Sequence, residues 1–128
     1  MDKTLLVEKT IEEGKNLIKE LDEQNFNVMA AFWFYLTDVK TWRLVLATPF
    51  AKNNGPIKSY TLIQKALAKL GLTEIALNDI SVVNPEDVLV KLLSTAIKTG
   101  PSISGIRFTR NTINGVFIED AYIYRLQR

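Results

Sequence analysis

The sequence contains neither cysteine nor histidine. The absence of cysteine excludes disulfide bonds, thiolate nucleophiles and thiolate zinc ligands, and the absence of histidine excludes mechanisms that use an imidazole base or ligand. Carboxylates, lysines, tyrosines and hydroxyl groups are the side chains that remain for chemistry. We therefore expect neither a cofactor nor a metal site.

Long apolar runs and a strong excess of one charge are also absent. No stretch approaches the roughly 18 consecutive apolar residues of a membrane span, and the first residues lack the basic region and apolar core of a signal peptide. Lys and Arg together number 16 against 14 Asp and Glu, so the net charge is only +2. These features predict a cytoplasmic protein that does not associate with a membrane.

The composition is that of an ordinary globular domain, with 47% hydrophobic and 23% charged residues. The 128 residues are the length of one domain, and no repeat, low-complexity tract or linker divides them. We therefore expect a single domain over residues 1–128. Its charge is uneven, since residues 1–24 carry four Lys against seven Asp and Glu, whereas residues 88–128 carry six Lys and Arg against two acids.

Apolar spacing and turn signals predict the order of the elements. A stripe at helical spacing predicts a first helix over about 4–24, with Thr4 as its N-cap. Gly14 lies in this stripe, and because glycine inside a helix costs roughly 1 kcal/mol against alanine, we interpret it as a position of close packing. Residues 26–47 contain two apolar runs around a polar turn, which indicates a hairpin, and the loop "KNNGP" precedes a second helix that starts at Pro56.

The whole pattern predicts an α+β fold. It is a mainly antiparallel sheet of about five strands with three helices, in the order α-β-β-α-β-α-β-β, with the helices packed chiefly on one face. The first strand is apolar at both even positions, such as Phe32, and odd positions, such as Trp33. Because a half-wet strand alternates, we expect both of its faces to be covered, one by helices and the other by a further element or a second copy of the chain.

The Asn114-Gly115 pair predicts a two-residue type I′ hairpin loop, since that turn needs positive φ at both central residues. In this register Arg110 lies opposite Glu119. One face of the hairpin is then mostly aliphatic. It is predicted to be core, and Phe117 is its residue next to the turn on the last strand. The other face is predicted to meet solvent or a partner, and carries Arg107, Ile113, Ile118, Asp120, Tyr122 and Tyr124. A longer loop would shift the register and exchange the two faces.

Association with another protein is the function that these patterns favour. Aromatic and arginine side chains are enriched where proteins meet, so we expect a homodimer or a complex with a protein partner through an aromatic and arginine-bearing face of the sheet. The predicted partner-binding residues are Trp33, Tyr35, Trp42, Arg107, Asp120, Tyr122 and Tyr124.

Two alternatives remain open, and catalysis is disfavoured. The first is a small-ligand-binding domain. The second is a nucleic-acid-binding protein that uses Arg107, Arg110, Arg125, Arg128 and the lysines of the second helix, Lys58, Lys65 and Lys69. The chain has no phosphate-binding glycine loop and no nucleophile elbow, and its unassigned carboxylates lack the spacing of a metal-dependent nuclease, so we assign no catalytic residue.

Overall fold

The computed structural model describes residues 5–127. This part of the chain contains the predicted elements in the predicted order. The helices are α1 (Glu8–Glu23), α2 (Pro49–Leu70) and α3 (Val88–Ala96). The strands are β1 (Ala30–Leu36), β2 (Thr41–Ala47), β3 (Ile80–Val83), β4 (Ile106–Ile113) and β5 (Val116–Leu126). The predicted N-cap, Thr4, and one predicted cation, Arg128, lie outside the described residues.

The five strands form one sheet in the order β3-β2-β1-β5-β4. Strand β3 runs parallel to β2, and the other three neighbouring pairs are antiparallel. The parallel pair follows from the position of α2 between β2 and β3, because a helix returns the chain to the end of the sheet from which the preceding strand started. The predicted α+β fold with a mainly antiparallel sheet is confirmed.

Helices cover both faces of the sheet. Helices α1 and α2 pack on the face that contains Trp33, and α3 packs on the face that contains Phe32. Both side chains are fully buried, with 0% exposure, so the prediction that both faces of β1 are covered is confirmed. The chain's own α3 covers the second face, with no need of a second copy there.

Helix α2 starts earlier than predicted. Thr48 caps it by accepting a hydrogen bond at Oγ1 from the Phe50 N–H, 3.1 Å away, and Pro49 suits the first helical position. Within "KNNGP" only Gly55 leaves the helical region, with φ 84° and ψ 169°, and Pro56 starts the second segment. The prediction of a loop here was wrong, because the cap at Thr48 stabilises a helical turn before the glycine.

Gly14 lets α1 approach the sheet at a buried chain of hydrogen bonds. Trp33 Nε1 donates to Tyr124 Oη at 2.9 Å, and Tyr124 Oη donates to the carbonyl oxygen of Ile11 in α1 at 2.7 Å. A Cβ at position 14 would overlap Tyr124 Oη and lie 2.9 Å from Cζ of the same ring. The interpretation of Gly14 as a packing position is confirmed.

The last hairpin has the predicted turn and register. Asn114 and Gly115 both have positive φ, 49° and 80°, as a type I′ turn requires. Arg107 pairs with Tyr122, and the register is the same from there to the turn.

The side-chain faces near this turn differ from the prediction. Arg110 has φ 47°, and the paired positions on either side of it omit Arg110 and Glu119. Side chains alternate regularly only along an extended strand, and the interruption places Ile113 and Ile118 in the core beneath α3 while Phe117 is exposed. The predicted aliphatic face therefore ends at Arg110, and the two faces are exchanged between Arg110 and the turn.

Candidate functional site

Three of the predicted partner-binding residues lie in the core. Trp33, Trp42 and Tyr124 are 0%, 4% and 1% exposed, in the cluster formed with α1 and α2. Burial in this cluster also raises the pKa of the Tyr124 hydroxyl. The structure thus corrects the expectation of an exposed aromatic sheet face, because the aromatic residues of that face support the chain's own helices.

Four predicted residues are brought together beside the segment that leads into α1. Tyr35, Trp42, Arg107 and Asp120 line a cleft of about 410 Å³, together with Glu119 and with Leu5, Leu6 and Val7. We call it the N-terminal cleft. The rings of Tyr35 and Trp42 lie 5.4 Å apart, centroid to centroid. The cleft therefore has an aromatic floor, an apolar wall with Leu5 70% exposed, and a charged wall on β4 and β5.

The charged wall is a complete ion pair. Arg107 donates from Nε and Nη2 to the two carboxylate oxygens of Asp120, at 2.7 and 2.6 Å, and Thr109 Oγ1 donates to the same carboxylate at 3.0 Å. The guanidinium also lies 5.5 Å from the ring centroid of Trp42, within reach of a cation–π contact. Hydrogen bonds to Asp120 raise the pKa of Arg107. A carboxylate bound in this way is a structural ion-pair partner and has no proton to transfer at neutral pH.

The pKa of Asp120 provides a test of this geometry. Partial burial raises it, but the hydrogen bonds from Arg107 and Thr109 outweigh burial, so the pKa lies below its ordinary value. The ion pair therefore stabilises the fold above the unfolded-state pKa of about 3.9, and this contribution is lost as the pH falls through the folded pKa. In the Arg107→Met variant we expect the Asp120 pKa, followed by carboxyl-carbon NMR, to rise above its wild-type value, because the charge and hydrogen bonds of Arg107 that lower it are lost while partial burial remains.

Arg110→Met is the matched control for that titration. Arg110 lies on the same strand, is 77% exposed and reaches Glu119 only at 3.9 Å. It makes no hydrogen bond to Asp120, so its removal should leave the Asp120 titration in place. An unchanged Asp120 pKa in Arg107→Met would contradict the assignment.

Tyr122 belongs to a different part of the surface. Its ring lies over Gly105, where a Cβ would overlap Tyr122 Oη, and it packs edge-on against Tyr124 with centroids 5.3 Å apart. It lines a small cleft beside α1 with Ile11 and other residues. The seven predicted residues thus separate into two fully core residues, Trp33 and Tyr124, four residues of the N-terminal cleft, and Tyr122.

The sequence did not reveal an apolar surface at the end of the sheet where both hairpin turns lie. Val39 is 64% exposed and Phe117 58% exposed. Both line a second cleft, of about 290 Å³, with the half-buried Phe34, Tyr35 and Leu36. Tyr35 and Glu119 line this cleft and the N-terminal cleft alike. We define the hairpin-end surface as the apolar residues of this cleft, Phe34, Tyr35, Leu36, Val39 and Phe117.

Charges of both signs surround the hairpin-end surface. The Arg110 and Glu119 side chains form a loose pair, 3.9 Å between Nε and Oε1, and the Arg107–Asp120 pair lies one step further along the sheet. Lys40 and Asp38 belong to the β1–β2 turn. Counting these side chains, the rim carries three acids and three cations, Asp38, Glu119, Asp120, Lys40, Arg107 and Arg110.

The cations proposed for nucleic-acid binding do not form one surface. Arg125 is 5% exposed and binds Asp22 with both terminal nitrogens, at 3.0 and 2.9 Å. Lys69 pairs with Glu20 at 3.0 Å, where hydrogen bonds from Gln24 and Lys69 lower the pKa of Glu20. Arg107 is neutralised by Asp120. The expectation that Arg125 is an available cation is corrected, because its guanidinium lies in the interior.

Among residues 5–127, no group of three or more acidic side chains is placed to hold a metal ion. Within the same range no helix combines the length and the apolarity needed to cross a membrane.

The fold is that of an α+β protein with a five-stranded mixed sheet. The N-terminal cleft and the cleft of the hairpin-end surface adjoin each other at Tyr35 and Glu119. The chain matches no protein-family model, and no curated protein or solved structure is significantly similar to it.

Proposed function

We propose that this protein acts by association rather than catalysis, as a homodimer formed through the hairpin-end surface. The observation that carries the proposal is the exposure of Val39 and Phe117 at 64% and 58%, both of which line one cleft at the end of the sheet. Single exposed apolar residues are common on protein surfaces, but a contiguous apolar patch with a polar rim is typical of an interaction site.

The composition of the surface suits an interface. Its centre is aromatic and aliphatic, and its rim is charged, which is the arrangement of protein–protein interfaces. Phe117 is the large exposed anchor, and Tyr35 and Arg107 are of the types that contribute most to binding. Two of the residues chosen from sequence, Tyr35 and Arg107, therefore keep a partner-binding role in this proposal, while Trp42 supports them from below.

The charges favour a second copy of the chain over a strongly charged partner. In a two-fold symmetric dimer the same patch meets itself, so it must be self-complementary. A rim with three acids and three cations meets this requirement, because the two-fold rotation that relates the copies can place the acids of one copy opposite the cations of the other. The loose Arg110–Glu119 pair, with Arg110 77% exposed, is able to exchange partners between the two copies.

Nucleic-acid binding has weaker support. It depends on unneutralised cations grouped on one surface, whereas Arg125 is buried and Arg107 and Lys69 each bind a carboxylate.

Phe117→Asp tests the homodimer. Placing a charge at the centre of the patch should weaken dimerisation at least about 30-fold, the effect of losing a strong interface residue. Sedimentation equilibrium across the micromolar range measures the dissociation constant. Phe117→Leu keeps the patch apolar and should retain most of the dimer.

Val88→Asp is the matched control. Val88 is 83% exposed at the first position of α3, away from both hairpin turns, and an acidic residue is favourable at a helix N-terminus. We expect the wild-type dissociation constant for this variant. Wild-type protein that sediments only as a monomer throughout this range would overturn the proposal, as would a Phe117→Asp variant that dimerises like the wild type.

A further inference from the structure

An apolar groove runs along the second segment of α2 and shares no lining residue with the hairpin-end surface. Pro56, Ile57, Tyr60 and Leu77 form its apolar part, and Thr61, Gln64 and Lys65 complete its lining. Its volume is about 610 Å³, within the range of about 300–1,000 Å³ that is usual for binding sites.

The helix presents this groove through a regular stripe. Ile57, Tyr60, Thr61 and Gln64 follow one another at intervals of three, one and three residues, which places them on one face of a helix. The break at Gly55 starts a new segment at Pro56 and leaves Ile57 82% exposed. Tyr60 lies firmly at the base, because its Oη accepts a hydrogen bond from the Val82 N–H of β3 at 3.0 Å.

The one charged side chain that lines the groove is Lys65, and Lys58 lies next to the lining residue Ile57 on the same helix. Lys58 and Lys65 are exposed and are seven residues apart, so they lie above one another along the helix. Neither forms an ion pair with any residue in the described range 5–127, in contrast to Lys69 and Lys91, which pair with Glu20 and Glu86. No carboxylate lines the groove.

We infer that this groove binds an acidic amphipathic helix of another protein. An apolar floor with a flanking row of two lysines is complementary to a helix that has leucine-like residues on one face and glutamate or aspartate beside them. Helix-in-groove recognition uses this combination, in which apolar residues at helical spacing enter the groove and charges on the rim set the orientation. The hairpin-end surface has balanced charge and does not share this preference.

A synthetic peptide tests the inference. The probe is a fluorescein-labelled helical peptide of leucine, alanine and glutamate with leucines at helical spacing, and the comparison peptide has lysine at every glutamate position. Anisotropy should show binding of the glutamate peptide only, with affinity that falls as salt is added. Ile57→Asp should weaken binding at least about 10-fold, the effect expected for loss of a central apolar contact together with charge repulsion.

Control variants separate the groove from non-specific attraction. Val88→Asp introduces the same charge at an equally exposed valine, 83% against 82% for Ile57, and should leave binding unchanged. Lys58→Gln/Lys65→Gln should weaken the glutamate peptide several-fold. Since both lysines are exposed, the thermal midpoint should not change, which confirms that the variant is folded.

Three results would overturn the inference. They are equal binding of the two peptides, full binding by Ile57→Asp, and failure of the glutamate peptide to bind. A small amphiphile is the competing occupant, and laurate is its probe. If laurate binds through Ile57 and the peptide does not, the groove takes a small ligand instead of a helix.

Discussion

Gly14→Ala is expected to destabilise the protein, although alanine is the better helix former. A Cβ at this position overlaps Tyr124 Oη and approaches Cζ to 2.9 Å and Trp33 Nε1 to 3.2 Å. None of these atoms belongs to a flexible chain end, since Tyr124 is 1% exposed and Trp33 is 0% exposed. The new methyl group therefore forces either α1 away from the sheet or the tyrosine out of its hydrogen bonds.

The expected loss is about 3 kcal/mol of unfolding free energy, within bounds of about 1–5 kcal/mol. Overpacking costs about 1–3 kcal/mol, and leaving the buried Trp33 N–H or Ile11 carbonyl without its partner costs about 1–3 kcal/mol more. The gain in helix propensity offsets about 1 kcal/mol of this. Urea denaturation followed by tryptophan fluorescence measures the difference.

Gly100→Ala is the control for this substitution. A Cβ at Gly100 meets no atom within 4 Å, so the change should lie within about 0.5 kcal/mol of the wild type. In a Tyr124→Phe background, Gly14→Ala should be less harmful because the overlapping oxygen is gone. A Gly14→Ala protein as stable as the wild type would show that α1 does not press on the tyrosine.

The second large effect concerns the ion pair of Asp22 and Arg125. We expect the loss of Asp22 to destabilise the protein more than the loss of Arg125. Asp22→Ala should destabilise the protein by about 3 kcal/mol, because it leaves a buried guanidinium without its counter-charge. The loss is at the lower end of the range for buried pairs because Asp22 is 38% exposed, and solvent already weakens the interaction. The Arg125 side chain, by contrast, is buried, and its Nε already has no hydrogen-bond partner.

Arg125→Met should be milder, at about 1–2 kcal/mol. It removes the charge that is difficult to bury, leaves Asp22 able to bind water, and keeps an apolar chain in the space. Its main penalty is the Val28 carbonyl oxygen, which loses the donor that Arg125 Nη1 provides at 2.9 Å.

The double variant tests the asymmetry. Asp22→Ala/Arg125→Met should be more stable than Asp22→Ala alone, because the second change removes the unpaired buried charge. Urea denaturation of the four proteins completes a double-mutant cycle. Additive losses would contradict the argument, and so would a larger loss in Arg125→Met than in Asp22→Ala.

Local signals predicted the elements of the fold well. Asn114-Gly115 predicted both the turn and the register of the last hairpin, because few dipeptides accept positive φ at two successive positions. Gly14 predicted a close approach, because a glycine in an apolar helical stripe loses helix propensity without adding a side chain. The double-sided apolarity of β1 predicted a central strand, and β1 lies in the middle of the sheet.

Local sequence signals gave wrong predictions of exposure where the burial of a residue depended on contacts with distant parts of the chain. Trp33 and Trp42 suggested an exposed aromatic face, yet α1 and α2 cover them. The exchange of faces lies where the pairing of β4 and β5 omits Arg110 and Glu119. Arg110 has φ 47° there, an angle that residues other than glycine rarely adopt. No local sequence signal predicts this interruption or the exposure of Phe117 beyond it, so the hairpin-end surface was not visible in the sequence.

By itself the sequence determined the order of helices and strands, the last turn and the type of fold, because these depend on periodicity and on the dihedral preferences of a few residues. It also selected four residues, Tyr35, Trp42, Arg107 and Asp120, that meet at one cleft. Only the tertiary structure decided which aromatic residues are core, that Arg125 is buried with Asp22, and where apolar surface remains exposed. Those outcomes depend on which helix covers which face, and residues far apart in the chain decide that together.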